Sequence, residues 1–345
     1  MVHLNNIWFI IIAILWVGFF VLEGFDFGVG MLHSFVGKTD AERRVCINTI
    51  GPVWDGNEVW LIVAGAAIFA AFPGWYATMF SALYLAVVLI LVALIVRGLS
   101  FEYGRKIDDP RWRSTWRWSL TIGSFLIPFL LGTALGDLLH GLPINSSHNY
   151  TGSFWGLLVP FGLYTGLTLT VLSLLLGVTY LTLKTEGDLH ERVSRLSSPI
   201  GWVAVLITFG WLTWSHVGIA NTGFVPHPID ALALVAVIAA ALFAEAHVEG
   251  WAFASAATAI ASVVGSLFFD LFPRVMVSTT NSAYDLTVAN TASPSYTLKV
   301  MSVVALVFFP LVLLYQGWSL YIFRKRVMTP PPVVPPSPEV AQQGR

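Results

Sequence analysis

Two acidic residues, Asp55 and Glu58, lie at the start of a long apolar stretch in the segment Gly51–Trp60. An acidic side chain at the centre of a membrane helix costs about 3 kcal/mol and usually faces a bundle interior or a transport pathway. The spacing of three residues places both carboxylates on one face of a helix. The chemistry that such a pair can perform is proton transfer.

A second acidic pair, Glu23 and Asp26, has the same spacing, and Arg97 ends another apolar stretch. We expect all of these charged groups at the cytoplasmic ends of three consecutive helices, on one side of the bilayer. Three glycines around the second pair permit close approach of a neighbouring helix: Gly24, Gly28 and Gly30.

Two interpretations of these charged residues stay open. Carboxyl groups held close together in a low-dielectric environment can pass protons, which predicts a proton path. Alternatively, Arg97 pairs with one acid and the others cap helix ends. Asp55 follows Pro52 by three residues, and the first turn of a helix favours a carboxylate. The pattern favours the proton path for Asp55 and Glu58 and does not separate the alternatives for Glu23 and Asp26.

Composition indicates an integral membrane protein that lies in a lipid bilayer. Of the 345 residues, 56% are hydrophobic and 11% are charged, whereas soluble domains average about 25% charged residues. The net charge of −1 argues against nucleic-acid binding. The single cysteine, Cys46, excludes an internal disulfide and a cysteine-built metal centre within this chain. We therefore predict no metal site.

Apolar windows of about 20 residues predict nine membrane spans. They are Ile7–Leu32, Pro52–Phe72, Tyr76–Val96, Trp118–Leu138, Phe154–Thr182, Ile200–Val217, Ile229–Ala244, Trp251–Leu271 and Val300–Phe323. If these spans alternate in direction, every lysine and arginine except Arg274 and Lys299 falls on one side. The positive-inside rule then places the N-terminus outside and the C-terminus in the cytoplasm.

The predicted fold class is therefore an all-α polytopic membrane protein. Its transmembrane part covers residues 1–326, and a proline-rich cytoplasmic tail, expected to be disordered, covers residues 327–345. The polar segment Asn281–Ser295 is predicted to be an exposed loop.

The histidines are expected near the two membrane surfaces. His216 is predicted to be an interfacial histidine at the outer end of the sixth span, and Asp230 to be an N-terminal acid of the seventh. Haem ligation by a pair would need two inward histidines at matching depth, and the sequence offers none, so we expect no haem ligation by this chain. These patterns fit a transporter or a subunit of a proton-coupled redox complex.

Several motifs closely resemble subunit II of the cytochrome bd-type quinol oxidases. The motifs are Glu23–Leu32, Glu42-Arg43-Arg44 with Ile47-Asn48, Trp54–Leu61, Arg97, Phe101-Glu102-Tyr103 and Gly187–His190. The resemblance extends over almost the whole chain. The family pattern often has Asp at position 23 and Gln at position 58, so the departures here keep or add an acid.

The resemblance implies a complex in the bacterial cytoplasmic membrane that oxidises membrane quinol on the outer side and reduces dioxygen to water. It implies that protons are taken from the cytoplasm and that turnover contributes to the proton motive force. It also implies two b-type haems and one d-type haem in a partner, subunit I. For this chain it implies two four-helix bundles plus one peripheral helix. A small accessory subunit and a bound quinone stay open.

Position by position, the resemblance assigns Asp55 to proton delivery and places Trp60 near a hydrophobic oxygen route. The predicted proton path consists of Asp55, Glu58, Asp26, Glu23 and Arg97. Trp54 and Asn57 are the candidate contacts for a bound cofactor, and no catalytic residue is expected in this chain. The alternative is a stand-alone proton-coupled secondary transporter, which would function without haem or a partner.

Overall fold

The computed structural model describes residues 4–220 and 227–328, which form a mostly helical molecule. Within these ranges the α-helices are α1 (Leu4–Val36), α2 (Asp40–Ile50), α3 (Trp54–Ala71), α4 (Pro73–Ala82), α5 (Tyr84–Tyr103), α6 (Pro110–His140), α7 (Pro160–Lys184), α8 (Gly187–Trp214), α9 (Pro228–Glu245), α10 (Glu249–Leu271) and α11 (Ser295–Ile322). A π-helical segment, Ser215–Ala220, extends α8. The proline-rich tail from Thr329 lies outside the described residues.

Eight of the helices in the described ranges are long and apolar enough to cross a membrane. A ninth span arises if α2 and α3, which meet at an angle of 47°, are counted together as one broken span. Thr39 and Glu42 form a capping box that starts α2, because each side chain satisfies a backbone N–H that the first turn leaves free. The predicted number of spans agrees with this upper count.

Two predicted spans have wrong boundaries. The third, Tyr76–Val96, is broken, because α4 ends at Ala82 and Leu83 leaves the helical conformation before α5 begins. The fifth, Phe154–Thr182, starts too early, because Phe154–Leu157 is a separate 3₁₀ turn. The α7 helix begins at Pro160, where a proline is tolerated because the first N–H has no helical partner. Hydropathy windows do not detect such breaks.

Close contacts between α1 and its neighbouring helices depend on glycine. The predicted close approach occurs at Gly28, where an added methyl group would overlap the backbone of Gly177 on α7, and the reverse also holds. A methyl group at Gly30 would overlap Ser124 on α6. Small residues let helix backbones meet without a hydrophobic driving force between them. This packing places the acidic segment of α1 in the interior.

The ends of α1, α5, α7, α9 and α11 meet the starts of α2, α6, α8 and α10 at one end of the molecule. Arg192 pairs with Glu42 at 2.6 Å and Arg326 with Glu249 at 2.7 Å. Val327 N donates to Lys184 O at 2.8 Å. These contacts bring together the helix ends that are expected on one side if the spans alternate in direction. That this side is the cytoplasmic one stays a prediction.

A small antiparallel sheet of β1 (Arg274–Met276) and β2 (Leu286–Thr287) lies at the opposite end. The fold is otherwise mostly helical, as predicted. The prediction of an exposed loop over Asn281–Ser295 is wrong in part, because Leu286 and Val288 are buried. Two apolar side chains spaced by two residues suit a half-buried strand, even within a polar segment.

Candidate functional site

A buried ion pair between α1 and α5 is the centre of the candidate site. Arg97 Nη1 lies 2.6 Å from Glu23 Oε1, and both side chains are fully buried. The guanidinium carbon of Arg97 lies 4.9 Å from the ring centre of Phe27 and 5.4 Å from that of Phe101. Aromatic faces attract a guanidinium. The cation is thus held between two rings in the predicted acidic region.

Glu58 on α3 extends this pair towards the surface. Its Oε2 lies 3.7 Å from Arg97 Nη1, and its side chain is 19% exposed. Asp55, one turn earlier on α3, is exposed and makes no ion pair with any described residue. Exposure therefore falls stepwise from Asp55 through Glu58 to Glu23.

Asp26 is held by an amide network rather than by the arginine. Asn57 Nδ2 donates to Asp26 Oδ2 at 2.7 Å and to Leu22 O at 3.2 Å. Asn57 Oδ1 accepts a hydrogen bond from Gln316 Nε2 at 2.6 Å. These bonds connect α1, α3 and α11 around one buried carboxylate.

Gln316 was missed in the sequence. A usable signal existed, because Gln316 carries the one amide side chain in the apolar stretch Val300–Phe323, and a polar group in such a helix normally faces a polar partner.

The cluster of Glu23, Asp26, Glu58 and Arg97 is unbalanced in charge and in hydrogen bonding. Both carboxylate oxygens of Glu23, Oδ1 of Asp26 and all three guanidinium nitrogens of Arg97 are buried without an aligned hydrogen bond in the described residues. Three ionised carboxylates against one cation would leave an excess of negative charge, and uncompensated buried charge is costly. Protons on the carboxyl groups would remove the excess, so the cluster can hold and release protons.

The two tryptophans and the asparagine of the α3 segment have packing roles. Trp54 stacks on Phe101, with ring centres 4.6 Å apart. Trp60 is buried against α1, where a methyl group at Gly18 would overlap the indole. Trp60 also lies 6.2 Å from the Phe309 ring centre. The oxygen route and the cofactor contacts at Trp54 and Asn57 stay predictions.

A second buried acidic cluster surrounds Asp230, where α8, α9 and α10 meet. His216 Nε2 donates to Asp230 Oδ2 at 2.7 Å, and the backbone N of His227 donates to the same oxygen at 3.1 Å. Ser266 Oγ donates to Asp230 Oδ1. Asp230 caps α9 as predicted; His216 lies at the end of the sixth span and is buried, and its position at the membrane interface stays a prediction.

Three described histidines have partners within the chain, and the absence of haem ligation by this chain stays a prediction. His33 Nδ1 donates to Gly30 O at 2.7 Å, His190 contacts Glu249 at 3.2 Å, and His216 bonds to Asp230. A cavity of about 620 Å³ is lined by His33, but its other polar lining includes five arginines and two aspartates, which does not suit an apolar macrocycle. Among the described residues, no group of three or more His, Cys, Asp or Glu side chains could hold a metal ion.

Comparisons with known proteins place this arrangement in context. The family model described as cytochrome bd terminal oxidase subunit II matches residues 4–323. Cytochrome bd ubiquinol oxidase subunit 2 of Bacillus subtilis is 44% identical, over 95% of this chain and 98% of that protein. Cytochrome bd-I ubiquinol oxidase subunit 2 of Escherichia coli K12 is 38% identical, over 94% and 95%. A chain from the structure of bd oxidase from Geobacillus thermodenitrificans matches with a TM-score of 0.70 and 17% identity, over 92% and 97%.

Proposed function

Because this chain belongs to the cytochrome bd terminal oxidase subunit II family, we propose that its buried carboxylates take up protons for oxygen reduction. Membership of this family means that the chain is an integral membrane subunit of a quinol:oxygen oxidoreductase complex. The complex also has a subunit I and contains haem. The stand-alone transporter is not favoured, because the matched relatives named as oxidase subunits align over nearly their full lengths.

The haems, two of b type and one of d type, belong to subunit I in this proposal. Three described histidines of this chain support that division, since the rings of His33, His190 and His216 each make a hydrogen bond within the chain. If quinol releases protons outside while oxygen reduction consumes protons from the cytoplasm, each electron moves the equivalent of one charge across the membrane. That charge corresponds to about 2.3 kcal/mol at 100 mV.

The proposal rests on the stepwise decrease in solvent exposure from Asp55 through Glu58 to the buried Glu23 and Asp26. Asp55 is exposed on this chain at the start of α3, Glu58 is partly buried, and Glu23 and Asp26 are fully buried. Residues three apart on a helix are neighbours on its surface, so Asp55 can exchange a proton with Glu58. Arg97 contacts both Glu58 and Glu23 and holds these carboxylates close together.

Asp55→Asn tests the first step of this path. The variant keeps the size and first-turn position of the side chain but cannot carry a proton. We expect oxygen-reduction turnover per assembled complex to fall about tenfold or more, within the range that a positioned proton-transfer group contributes. Glu191→Asn is a suitable control, since it removes an exposed acid of α8 that pairs only with Arg195.

Turnover and absorption spectra must be recorded together. Unchanged turnover in Asp55→Asn with intact haem spectra would contradict a proton role for Asp55. Loss of the haem spectra would instead show that Asp55 is needed for assembly. A loss of turnover in Glu191→Asn of similar size would show that the effect is not specific to the path.

A further inference from the structure

A basic cavity of about 620 Å³ lies where α1 and α5 end and where α2 and α6 are close to their starts. We define it by its arginines, which are Arg43, Arg44, Arg105, Arg113 and Arg117. It lies at the end of the molecule that gathers the predicted cytoplasmic arginines. The proposed proton path does not use these residues.

The cations of the basic cavity outnumber the acids that can neutralise them. Asp40 pairs with Arg43 at 2.8 Å, and Asp108 pairs with Arg113 at 2.6 Å. Arg44, Arg105 and Arg117 make no ion pair with any residue in the described parts of the chain. The cavity therefore has an excess of positive charge that a bound anion would balance.

Three N–H donors in the cavity wall also lack acceptors. Arg43 Nε on α2 and both Trp116 Nε1 and Arg117 Nε on α6 are shielded from solvent, yet they have no hydrogen-bond partner among the described residues. Buried donors are normally paired, and each unpaired donor costs free energy. Guanidinium groups match the oxygens of a phosphate with parallel hydrogen bonds. Phosphate oxygens in the cavity would balance the charge of the arginines, although these three shielded nitrogens lie out of their direct reach.

An apolar stripe leads away from the cavity along α6. The side chains of Trp118, Ile122 and Phe125 are exposed. Their spacing of four and then three residues places them on one face of the helix. Trp118 follows Arg117 directly and packs edge to face with the exposed Phe35, with ring centres 6.0 Å apart. Exposed aromatic residues of this kind are enriched at membrane–water interfaces. A free phosphate ion has no apolar part that could pack on this stripe, whereas the acyl chain of a lipid would cover it.

We propose that the basic cavity binds the phosphate headgroup of an anionic membrane phospholipid. Arg44, Arg105 and Arg117 supply the unneutralised charge. One acyl chain lies along Trp118, Ile122 and Phe125. Basic pockets between membrane helices on the cytoplasmic side bind such headgroups in general.

Native mass spectrometry of the purified oxidase complex tests the proposal. The complex is reconstituted in nanodiscs of phosphatidylglycerol or of phosphatidylcholine, released into mild detergent, and its retained lipids are counted. We expect one phosphatidylglycerol to be retained above the phosphatidylcholine background. Each arginine-to-glutamine change should weaken retention roughly fivefold, and Arg44→Gln with Arg117→Gln on the order of 25-fold.

Controls separate a lipid site from a general anion effect. Arg195→Gln removes an exposed arginine of α8 and should leave retention unchanged. Arg105→Gln changes an exposed cavity residue. Lower retention of phosphatidylglycerol by this variant can therefore still be measured if the double variant fails to fold. Equal retention in wild type and Arg105→Gln would overturn the proposal. Displacement of the lipid by millimolar inorganic phosphate alone would assign the cavity to a free anion instead.

Discussion

Asp230 and the pair Glu23 and Asp26 are all buried acids, but their surroundings differ. Both oxygens of Asp230 accept hydrogen bonds, from His216, the His227 backbone and Ser266. Glu23 lies between a buried arginine and the carboxyl group of Asp26, and Oδ1 of Asp26 has no donor among the described residues. A saturated carboxylate stabilises the packing of its helices, whereas an unsaturated one in a group with excess negative charge is suited to proton exchange.

Arg97→Leu should have the largest effect, because it removes the cation that Glu23 and Glu58 contact. Loss of one partner from a buried ion pair costs about 3–5 kcal/mol. We expect the complex to fail to assemble, measured as loss of haem absorption in purified membranes. Arg97→Lys should retain part of the haem, and Glu23→Leu added to Arg97→Leu should restore some of it. Full haem content in Arg97→Leu would contradict the distinction between Asp230 and Glu23, since Glu23 would then need no counter-charge.

Glu23→Gln and Asp230→Asn form a matched pair that should separate chemistry from stability. In Glu23→Gln we expect an assembled complex, because Glu58 still lies beside Arg97 as a counter-charge, and its turnover should fall about tenfold or more, because the proton-carrying group is lost. In Asp230→Asn we expect unfolding to become easier by about 1–3 kcal/mol, because buried donors lose their acceptor. Turnover per assembled complex should stay unchanged there. Thermal unfolding and oxygen consumption on both complexes check this, and the same outcome for both variants would refute the distinction.

The glycine contacts and the grouping of charges could be predicted from the sequence. Gly28 was expected to allow close helix approach, and Glu23, Glu58 and Arg97 were expected together, because charges in apolar helices need partners. The amide network was not predictable, since the contact of Gln316 with Asn57 depends on the rotation of α11 about its axis. Hydropathy does not specify that rotation.

Other features depend on local backbone geometry that composition does not reveal. His216 lies in the π-helical end of α8, and this segment, not its distance from the membrane surface, brings it to Asp230. The break at Leu83 has no proline or glycine at that residue, so the apolar run looked continuous. Asp55 was expected beside Arg97, but the structure leaves it one turn away and exposed.

Asn57→Leu should lower turnover less than Glu23→Gln does and should sharpen the difference between Glu23 and Asp26. The change removes the hydrogen bond to Asp26 and leaves Gln316 without its acceptor, at a cost of about 1–3 kcal/mol. We expect lower thermal stability and a partial loss of turnover. Gln316→Leu is the milder companion, because the bond from Asn57 to Asp26 survives. Identical behaviour of the two variants would show that this bond does not matter for turnover.

Infrared difference spectroscopy of the reduced and oxidised complex tests the central claim most directly. The carboxyl C=O stretch reports protonated Asp and Glu side chains, and its shift in heavy water identifies them. We predict a redox-linked carboxyl signal in the wild type that is lost or altered in Glu23→Gln or Asp26→Asn and retained in Asp230→Asn. An unchanged signal in both Glu23→Gln and Asp26→Asn would contradict proton uptake by the buried carboxylates of this subunit.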